Sequence, residues 1–498
     1  MDAALNDDPE GPADLSRGRP QKVFFMMDKR DWEFLYSSED PIELNALSLL
    51  HAEIGDRILR DQDRYALHTL ACRKANGPLP KKNAFVIGTV TGNPILRRFF
   101  RGSEIPAHGF RVKTAAHPED PEKQLVLIAG DGASEVLYGV IAFLDDLIPS
   151  VLPQNNDGIR DEPDLFRKPL PPIDFADAPQ TLVRSVFAWG HTFGRYREYF
   201  GNLARLKINR VYLWNEFPPV NAAEIAAEAH GWGIEVFWGF AWGWSTSCSK
   251  ADLNDLAGSS DAIVEEWREV WRRLPGDGIY FQSFTELGAE KIGGRSVAEN
   301  VTALVNLTAG RILAEHPELK IVYGLHATSV KNRLDVIART DPRLEILWED
   351  CGGFPYKFDL PEDAERDDAF TRALFAQKRS MGLVFKCQLL QKWTDFVHQA
   401  GPCLEGRNGA GTMRHDVAVT TPMWRVYDAL WLEKGRRAHE LAELIHAEGG
   451  AQIEMNMAAQ LNGPVRLPTA LTAELFWSTA ASYDEILRKV VQRNHVSL

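Results

Sequence analysis

Gly278-Ile-Tyr-Phe-Gln-Ser-Phe-Thr-Glu286 is an apolar run of strand length that ends abruptly in a carboxyl group. Leu344-Glu-Ile-Leu-Trp-Glu-Asp-Cys-Gly352 echoes it, with Glu349 and Asp350 at the corresponding end. A strand buried in a parallel sheet reads as a near-continuous hydrophobic run. In a barrel of such strands, function gathers where strand passes into loop. Two carboxyl positions facing one cleft form the arrangement that glycosidic-bond hydrolysis needs. The remainder of the chain reads as a scaffold for that pair.

Strand and helix alternate on both sides of the opening stretch. Strands are expected at Leu182–Gly190, Ile208–Trp214, Ile234–Phe240, Ile279–Phe284, Lys320–Leu325, Leu344–Trp348 and Leu383–Cys387. Helices are expected between them at Tyr196–Leu206, Ala222–His230, Ser260–Arg273, Val297–Glu315, Val330–Ile337 and Asp367–Ser380. Ala418–Met423 is the candidate eighth strand. Alternation over this length implies a parallel sheet, and eight units imply a closed (β/α)8 barrel. An open doubly wound sheet is the rival, but no G-x-G-x-x-G phosphate turn follows the first strand. The fold class is therefore α/β, a (β/α)8 TIM barrel over 181–426.

Before the barrel, a small α+β domain is expected over 21–150. Its elements are a strand at Val23–Met27, a helix from Pro41 to Leu70 and a strand at Asn83–Gly88. A hairpin of Gly109–Lys113 with Gln124–Ala129 follows, then an apolar helix from Glu135 to Leu147. Residues 1–20 are polar and read as a disordered tail, and the Pro-rich 151–180 reads as a linker. After the barrel, 427–498 reads as a helical region broken at Asn462-Gly-Pro464.

Composition bounds the function. With 498 residues, 45% hydrophobic and 25% charged, the chain suits a soluble protein of two or three domains. A net charge of -13 argues against a nucleic-acid partner. The N-terminus lacks the apolar region of a signal peptide, and no stretch approaches the roughly 20 apolar residues of a membrane span. Cys72, Cys248, Cys351, Cys387 and Cys403 are scattered without metal spacing. The expectation is a cytoplasmic protein with free thiols, needing no cofactor or metal, acting on a small glycoside. A homodimer through the C-terminal helices is compatible with this layout.

The strand ends supply candidate substrate-binding residues: Trp189, His191, Trp214, Asn215, Glu216, Trp238, Trp242, Trp244, His326, Trp348, Lys386, Gln388 and Trp393. An indole ring packs on the C–H face of a sugar while neighbouring polar groups pair with its hydroxyls. Core filling is the competing reading for each Trp taken alone, and simple hydrogen bonding for each His. Gly239-Phe-Ala-Trp-Gly-Trp244 is the strongest candidate for a sugar platform. Glu286, at the end of an apolar strand, suits a general acid, because desolvation raises a carboxyl pKa. A salt bridge or a helix cap competes for it. Glu349 and Asp350 are candidates for base or nucleophile. Only one of them can point fully into the cleft, because side chains alternate along a strand. Inverting chemistry would hold the two carboxyls roughly 6.5–9.5 Å apart, retaining chemistry about 5–5.5 Å.

Gly109-Phe-Arg-Val, the strand ending at Ala129 and Leu137-Tyr-Gly-Val-Ile-Ala-Phe-Leu144 resemble the small α/β domain that precedes the barrel in α-glucuronidases and β-hexosaminidases. Tyr199 to Trp214, Gly233-Ile-Glu-Val-Phe237 and the tail Ala473 to Glu485 are similar as well, the tail resembling the "WNPD…S…EE" segment that follows such barrels. The resemblance covers most of the chain through moderately specific motifs. It implies a glycoside hydrolase with Glu286 at the general-acid position. Substrate-assisted hexosaminidases carry an acidic residue just before that glutamate, where this chain has Thr285. The α-glucuronidases of glycoside hydrolase families 67 and 115 invert, with bases on later strands, which suits Glu349 or Asp350. They require cations for the uronate, for which Arg184, Arg195, Lys386, Lys392 and Arg414 are possible anchors, with His191 and His326 open to a hydroxyl or a carboxylate. The expectation is an exo-acting hydrolase of a terminal sugar, first of all a uronic acid. A neutral-sugar exo-glycosidase and a non-catalytic sugar-binding barrel remain as alternatives.

Overall fold

The computed structural model describes residues 32–59, 71–151, 169–189, 194–243, 251–286, 289–353, 361–386, 399, 401–407, 410–458, 465–493 and 495–497. The expected strand Val23–Met27 and the end of the helix drawn to Leu70 lie outside them. Strand β1 (Trp32–Tyr36), helix α1 (Pro41–Leu59), β2 (Ala71–Lys74), β3 (Asn83–Thr89), β4 (Phe110–His117), β5 (Asp120–Gly130) and α2 (Ala133–Ala142) follow one another. With β6 (Asp174–Asp177) they form a six-stranded sheet in the order β2-β1-β3-β5-β4-β6. Strands β4 and β5 are the expected antiparallel hairpin. Strand β6 comes from the stretch read as a linker and pairs with β4 at the sheet edge.

Alternation along β3 explains its unbroken apolar sequence. Phe85 and Ile87 point to the face covered by α1 and α2, while Ala84 and Val86 join a second cluster on the other face. A strand buried on both faces has no polar positions to show.

Eight parallel strands close the barrel: β7 (Val183–Trp189), β8 (Arg210–Trp214), β9 (Glu235–Ala241), β10 (Gly278–Gln282), β11 (Lys320–His326), β12 (Glu345–Gly353), β13 (Met381–Phe385) and β14 (Glu454–Ala458). The helices between them include α3 (Tyr196–Arg205), α4 (Ala222–Gly231), α5 (Leu256–Glu269), α6 (Val297–Glu315) and α7 (Pro361–Phe375). Between β11 and β12 the described helix is a single turn, Leu334–Ile337.

The eighth strand corrects the sequence expectation. Ala418–Met423 lies inside a 40-residue helix, α8 (Ala410–Gly449), and the barrel closes only at β14, beyond residue 426. Strand β14 reads Glu-Met-Asn-Met-Ala because its alternate residues are polar and face the lumen. Glu454 accepts from Tyr212 Oη at 2.8 Å, and Asn456 Nδ2 donates to Ser185 Oγ at 2.7 Å. An apolar run is the wrong signal for such a strand. The β-branched Val-Thr-Thr run in α8 is the converse case, with propensity overridden by context.

Inside the barrel, Phe187, Tyr212, Trp214, Phe237, Tyr280, Val322, Leu347 and Val384 pack as one cluster, separate from the core between strands and helices. Glycines make room for these rings. A Cβ on Gly324 would overlap the Tyr280 hydroxyl, and one on Gly278 would overlap the Phe237 ring. The packed lumen therefore carries its chemistry at its two ends.

The lower end is charged. Arg210 lies 2.6 Å from Glu454, 2.8 Å from Glu235 and 3.5 Å from Glu345. Lys320 also contacts Glu235, and two cations among three carboxyls still leave an excess of negative charge. Burial, followed by the charge of Glu454, pushes Glu345 up to about 8. Between the ordinary carboxyl range and about pH 8, the folded state therefore holds a proton that the unfolded state has released, and stability falls as pH rises. Glu345→Gln should remove that falling limb. Denaturant titrations between pH 5 and 9 are expected to show the variant gaining on the parent, on the order of 2 kcal/mol at the alkaline end.

Helices α9 (Leu467–Trp477) and α10 (Tyr483–Val490) fasten the small domain to the barrel. The Trp477 ring packs against Phe110 and Tyr138, and its Nε1 donates to Asp177 at 2.8 Å. Beside it, the π turn Phe143–Leu147 that extends α2 brings Asp146 to Arg493, which donates to it at 2.8 and 3.1 Å and to Glu474 at 2.7 Å. Among the described residues no helix is long and apolar enough to cross a membrane.

Candidate active site at the carboxyl end of the barrel

Residue parity assigns the carboxyl pair. Along β12, Ile346 and Trp348 join the core between strands and helices, while Leu347 joins the lumen cluster. Glu349 follows Leu347 on the inward side. Its carboxylate accepts from Gln282 Nε2 at 2.6 Å and Tyr280 Oη at 3.4 Å. Lys386 Nζ stands 3.0 Å away and His326 Nε2 3.1 Å away. Four strands thus converge on one carboxylate: Tyr280 and Gln282 from β10, His326 from β11, Glu349 from β12, and Lys386 directly after β13. Side-chain exposures of 11%, 17% and 11% for Glu349, His326 and Lys386 put this polar cluster at the floor of the open end.

Aromatic rings form the wall beside it. Phe187 lies edge-on to Trp189 at 5.0 Å between centroids and 5.5 Å from Tyr280. Trp214 stands edge-on to Tyr280 at 6.1 Å. Trp189 is partly exposed and Trp214 nearly buried, both on the lumen side. Asn215 and Glu216 continue from Trp214 into the loop, where Asn215 Nδ2 donates to the Glu405 carboxyl. The backbone N–H of Glu216 donates to Gln399 Oε1 at 3.2 Å.

Three of the candidate tryptophans face the other way. Trp238, Trp242 and Trp348 are 1%, 0% and 0% exposed and belong to the core between strands and helices. Trp238 Nε1 donates to the Pro275 carbonyl at 2.7 Å, and Trp242 stacks on Phe281 with centroids 3.6 Å apart. No face of these rings is left for a sugar, and core filling accounts for all three. The Gly239–Trp244 run is thus not a described platform, since Trp242 is spent on packing and Trp244 lies outside the described residues. His191, Gln388 and Trp393 lie outside them too, as do the side chains of Glu286 and Asp350.

The backbone that carries Glu286 is described. A one-turn 3₁₀ helix, Phe284–Glu286, follows β10. Ser283 Oγ donates to the Trp242 carbonyl at 2.9 Å, and Ser329 Oγ donates to the Thr285 carbonyl at 2.7 Å. These bonds tie the turn to the ends of β9 and β11.

Sequence reasoning missed Tyr280, Gln282 and Glu405. The first two sit at two-residue spacing on the inward side of the opening stretch, so the alternation applied to Glu349 and Asp350 would have found them. Glu405 lies between Gly401-Pro-Cys-Leu and Gly406, with no periodic pattern to mark it. Burial pushes its carboxyl up to about 8. Among the described residues no group of three or more His, Cys, Asp or Glu is arranged to hold a metal ion.

No family model matches the chain, and no curated protein does. Solved structures do match. An exo-β-N-acetylglucosaminidase of glycoside hydrolase family 20 from Vibrio harveyi, in complex with N-acetylglucosamine, aligns with a TM-score of 0.50 at 10% identity, over 94% of this chain and 73% of that one. A family 115 4-O-methyl-α-glucuronidase with specificity for decorated arabinogalactans gives 0.49 at 13% identity, over 91% and 57%. A family 138 enzyme targeting pectin rhamnogalacturonan II gives 0.45 at 10%, over 91% and 51%. The chain spans little more than half of the last two. At such identities the likeness is one of architecture alone: a closed (β/α)8 barrel preceded by a small α/β domain.

Proposed function

We propose that the chain is an exo-acting glycoside hydrolase in which Glu286 is the general acid and Glu349 its carboxylate partner. The observation that carries the reading is Glu349 itself, inward-facing at the carboxyl end of the lumen, with Tyr280 reaching the carboxylate on one side and the Trp214 ring on the other. Trp189 and Trp214 would pack on the sugar face, with Glu216 at the rim, while Asn215, 1% exposed and turned to Glu405, is withdrawn from the substrate-binding set. Lys386 and His326 put cationic and polar donors beside the carboxylate, which favours a terminal uronic acid as the first substrate class. Neutral-sugar exo-glycosidase activity is the alternative substrate reading.

A second reading draws on the same cluster. A carboxylate already served by Gln282, Tyr280, His326 and Lys386 also suits a sugar-binding barrel without catalysis. Barrels of this architecture host many functions, so the site must decide. The test is sugar release from a panel of glucuronides, galacturonides, neutral glycosides and N-acetylhexosaminides, with Glu286→Gln run beside the parent. Release from one class that the variant lowers by at least about a hundredfold supports Glu286 as proton donor. Binding without release, equal in both proteins, sinks the enzyme reading in favour of the binding barrel.

A further inference from the structure

The segment around 399–407 is stitched to the loop after β8. The Val220 N–H donates to the Cys403 carbonyl, Asn221 Nδ2 donates to the Glu405 carbonyl, and the Glu405 N–H donates back to Asn221 Oδ1, each at 2.9 Å. Gln399 Oε1 accepts from the N–H groups of both Glu216 and Phe217 at 3.2 Å. From this seam the Glu405 side chain turns inward. It is 1% exposed, and Asn215 Nδ2 donates to its Oε1. Its second oxygen, Oε2, is buried without a hydrogen-bond partner, and so is Asn215 Oδ1.

Nothing described nearby neutralises a charge on Glu405. Arg407 is paired with Glu224 and Arg195 with Glu198. Asn221 and Gln399 are neutral, and Cys403 and Glu216 bring no positive charge. A buried carboxylate with a single donor and no counter-ion is strongly disfavoured. One proton on Oε2, aimed at Asn215 Oδ1, removes the charge and satisfies both orphaned oxygens together.

We infer that Glu405 is a neutral carboxylic acid hydrogen-bonded face to face with the Asn215 side-chain amide. The pair is a positioning device that holds 399–407 against the end of β8, directly after Trp214. Being buried, Glu405 touches no substrate, and the inference stands apart from the glycosidase reading. The upward push on its carboxyl, to about 8, has burial as its cause and agrees with this geometry. With the folded value above the unfolded one, the folded state holds the extra proton between the ordinary carboxyl range and about pH 8. Stability therefore falls as pH rises across that window.

Glu405→Gln keeps both hydrogen bonds without a proton, because the amide accepts on one side and donates on the other. Thermal midpoints of the parent, Glu405→Gln and Glu405→Ala from pH 5 to 9 test the pair. The expected result is a Gln-minus-parent difference that grows by several degrees towards alkaline pH, with Ala below both throughout. An infrared difference spectrum at pH 7 should also show the carbonyl band of a protonated carboxylic acid lost in Glu405→Gln. A pH-independent difference with no band lost, or a Gln variant that fails to fold, overturns the inference.

Discussion

Arg493→Ala should cost about 3–5 kcal/mol of folding free energy, although the residue is distant from the barrel mouth. Arg493 is 4% exposed and forks onto both Asp146 oxygens while also serving Glu474. Lys489 completes the group, 3.4 Å from Asp146 and in contact with Glu474. Two cations thus contact two carboxylates where the small domain, α9 and α10 meet, and the buried Lys207 side chain lies close enough to act on both. Burial alone would raise both carboxyls, but the charges of Arg493 and Lys489 more than reverse this and hold both below their usual range. Removing the guanidinium strips Asp146 of its two-pronged donor and Glu474 of a hydrogen bond, leaving both buried carboxylates under-served by Lys489 and Lys207. Breaking a buried pair costs far more than the pair contributes over an apolar substitute, because the partner is stranded.

The pH sign follows from the depressed carboxyls. Their contribution is present above the unfolded carboxyl range and is lost as pH falls through their folded values. The Arg493→Ala deficit should therefore be largest near neutrality and shrink in acid, where the stranded carboxyls can protonate. Arg493→Lys, which keeps the charge but not the fork, should fall between. Urea unfolding of the three proteins at neutral and acid pH reads both effects. A neutral-pH loss below about 1 kcal/mol would show that the network does not bind the small domain to the barrel.

Legibility in the sequence followed burial. Strand β3 and the central stretches of β7 to β13 were readable because both of their faces are covered, so their sequences are largely apolar, and β4 was readable from the alternation of Phe110 and Val112 with Arg111 and Lys113. Strand β14 was not, because Glu454 and Asn456 spend its inward positions on the charged lower end of the lumen. The site was legible in part for the same reason. A carboxyl ending an apolar run pointed to the end of β12, and parity then puts Glu349 on the lumen side. Parity also separates Trp214, on the lumen side, from Trp238 and Trp348 on the outer side. Counting aromatic residues near strand ends could not make that distinction. Glu405 had no local signal, since its burial and its amide partner are set by contacts 190 positions apart in sequence.

Glu349→Gln is the substitution that separates catalysis from architecture. If Glu349 is base or nucleophile, the variant should lose about 10²–10⁴-fold in kcat. Loss of activity alone would not prove the point, because the same change removes the carboxylate that faces Lys386 at 3.0 Å and His326 at 3.1 Å. The amide still accepts from Gln282 and Tyr280, but its N–H₂ now opposes an ammonium in a nearly buried site. Stability should drop with activity, by about 3 kcal/mol or more. Lys386→Met in the same chain removes the stranded cation while keeping most of its volume. The double variant is expected to recover most of the lost stability and none of the turnover. Recovery of both would make Glu349 a partner for Lys386 and nothing more. Recovery of stability alone, with sugar still bound and Lys386→Met by itself still turning over, would leave the missing carboxylate as the cause of the silence.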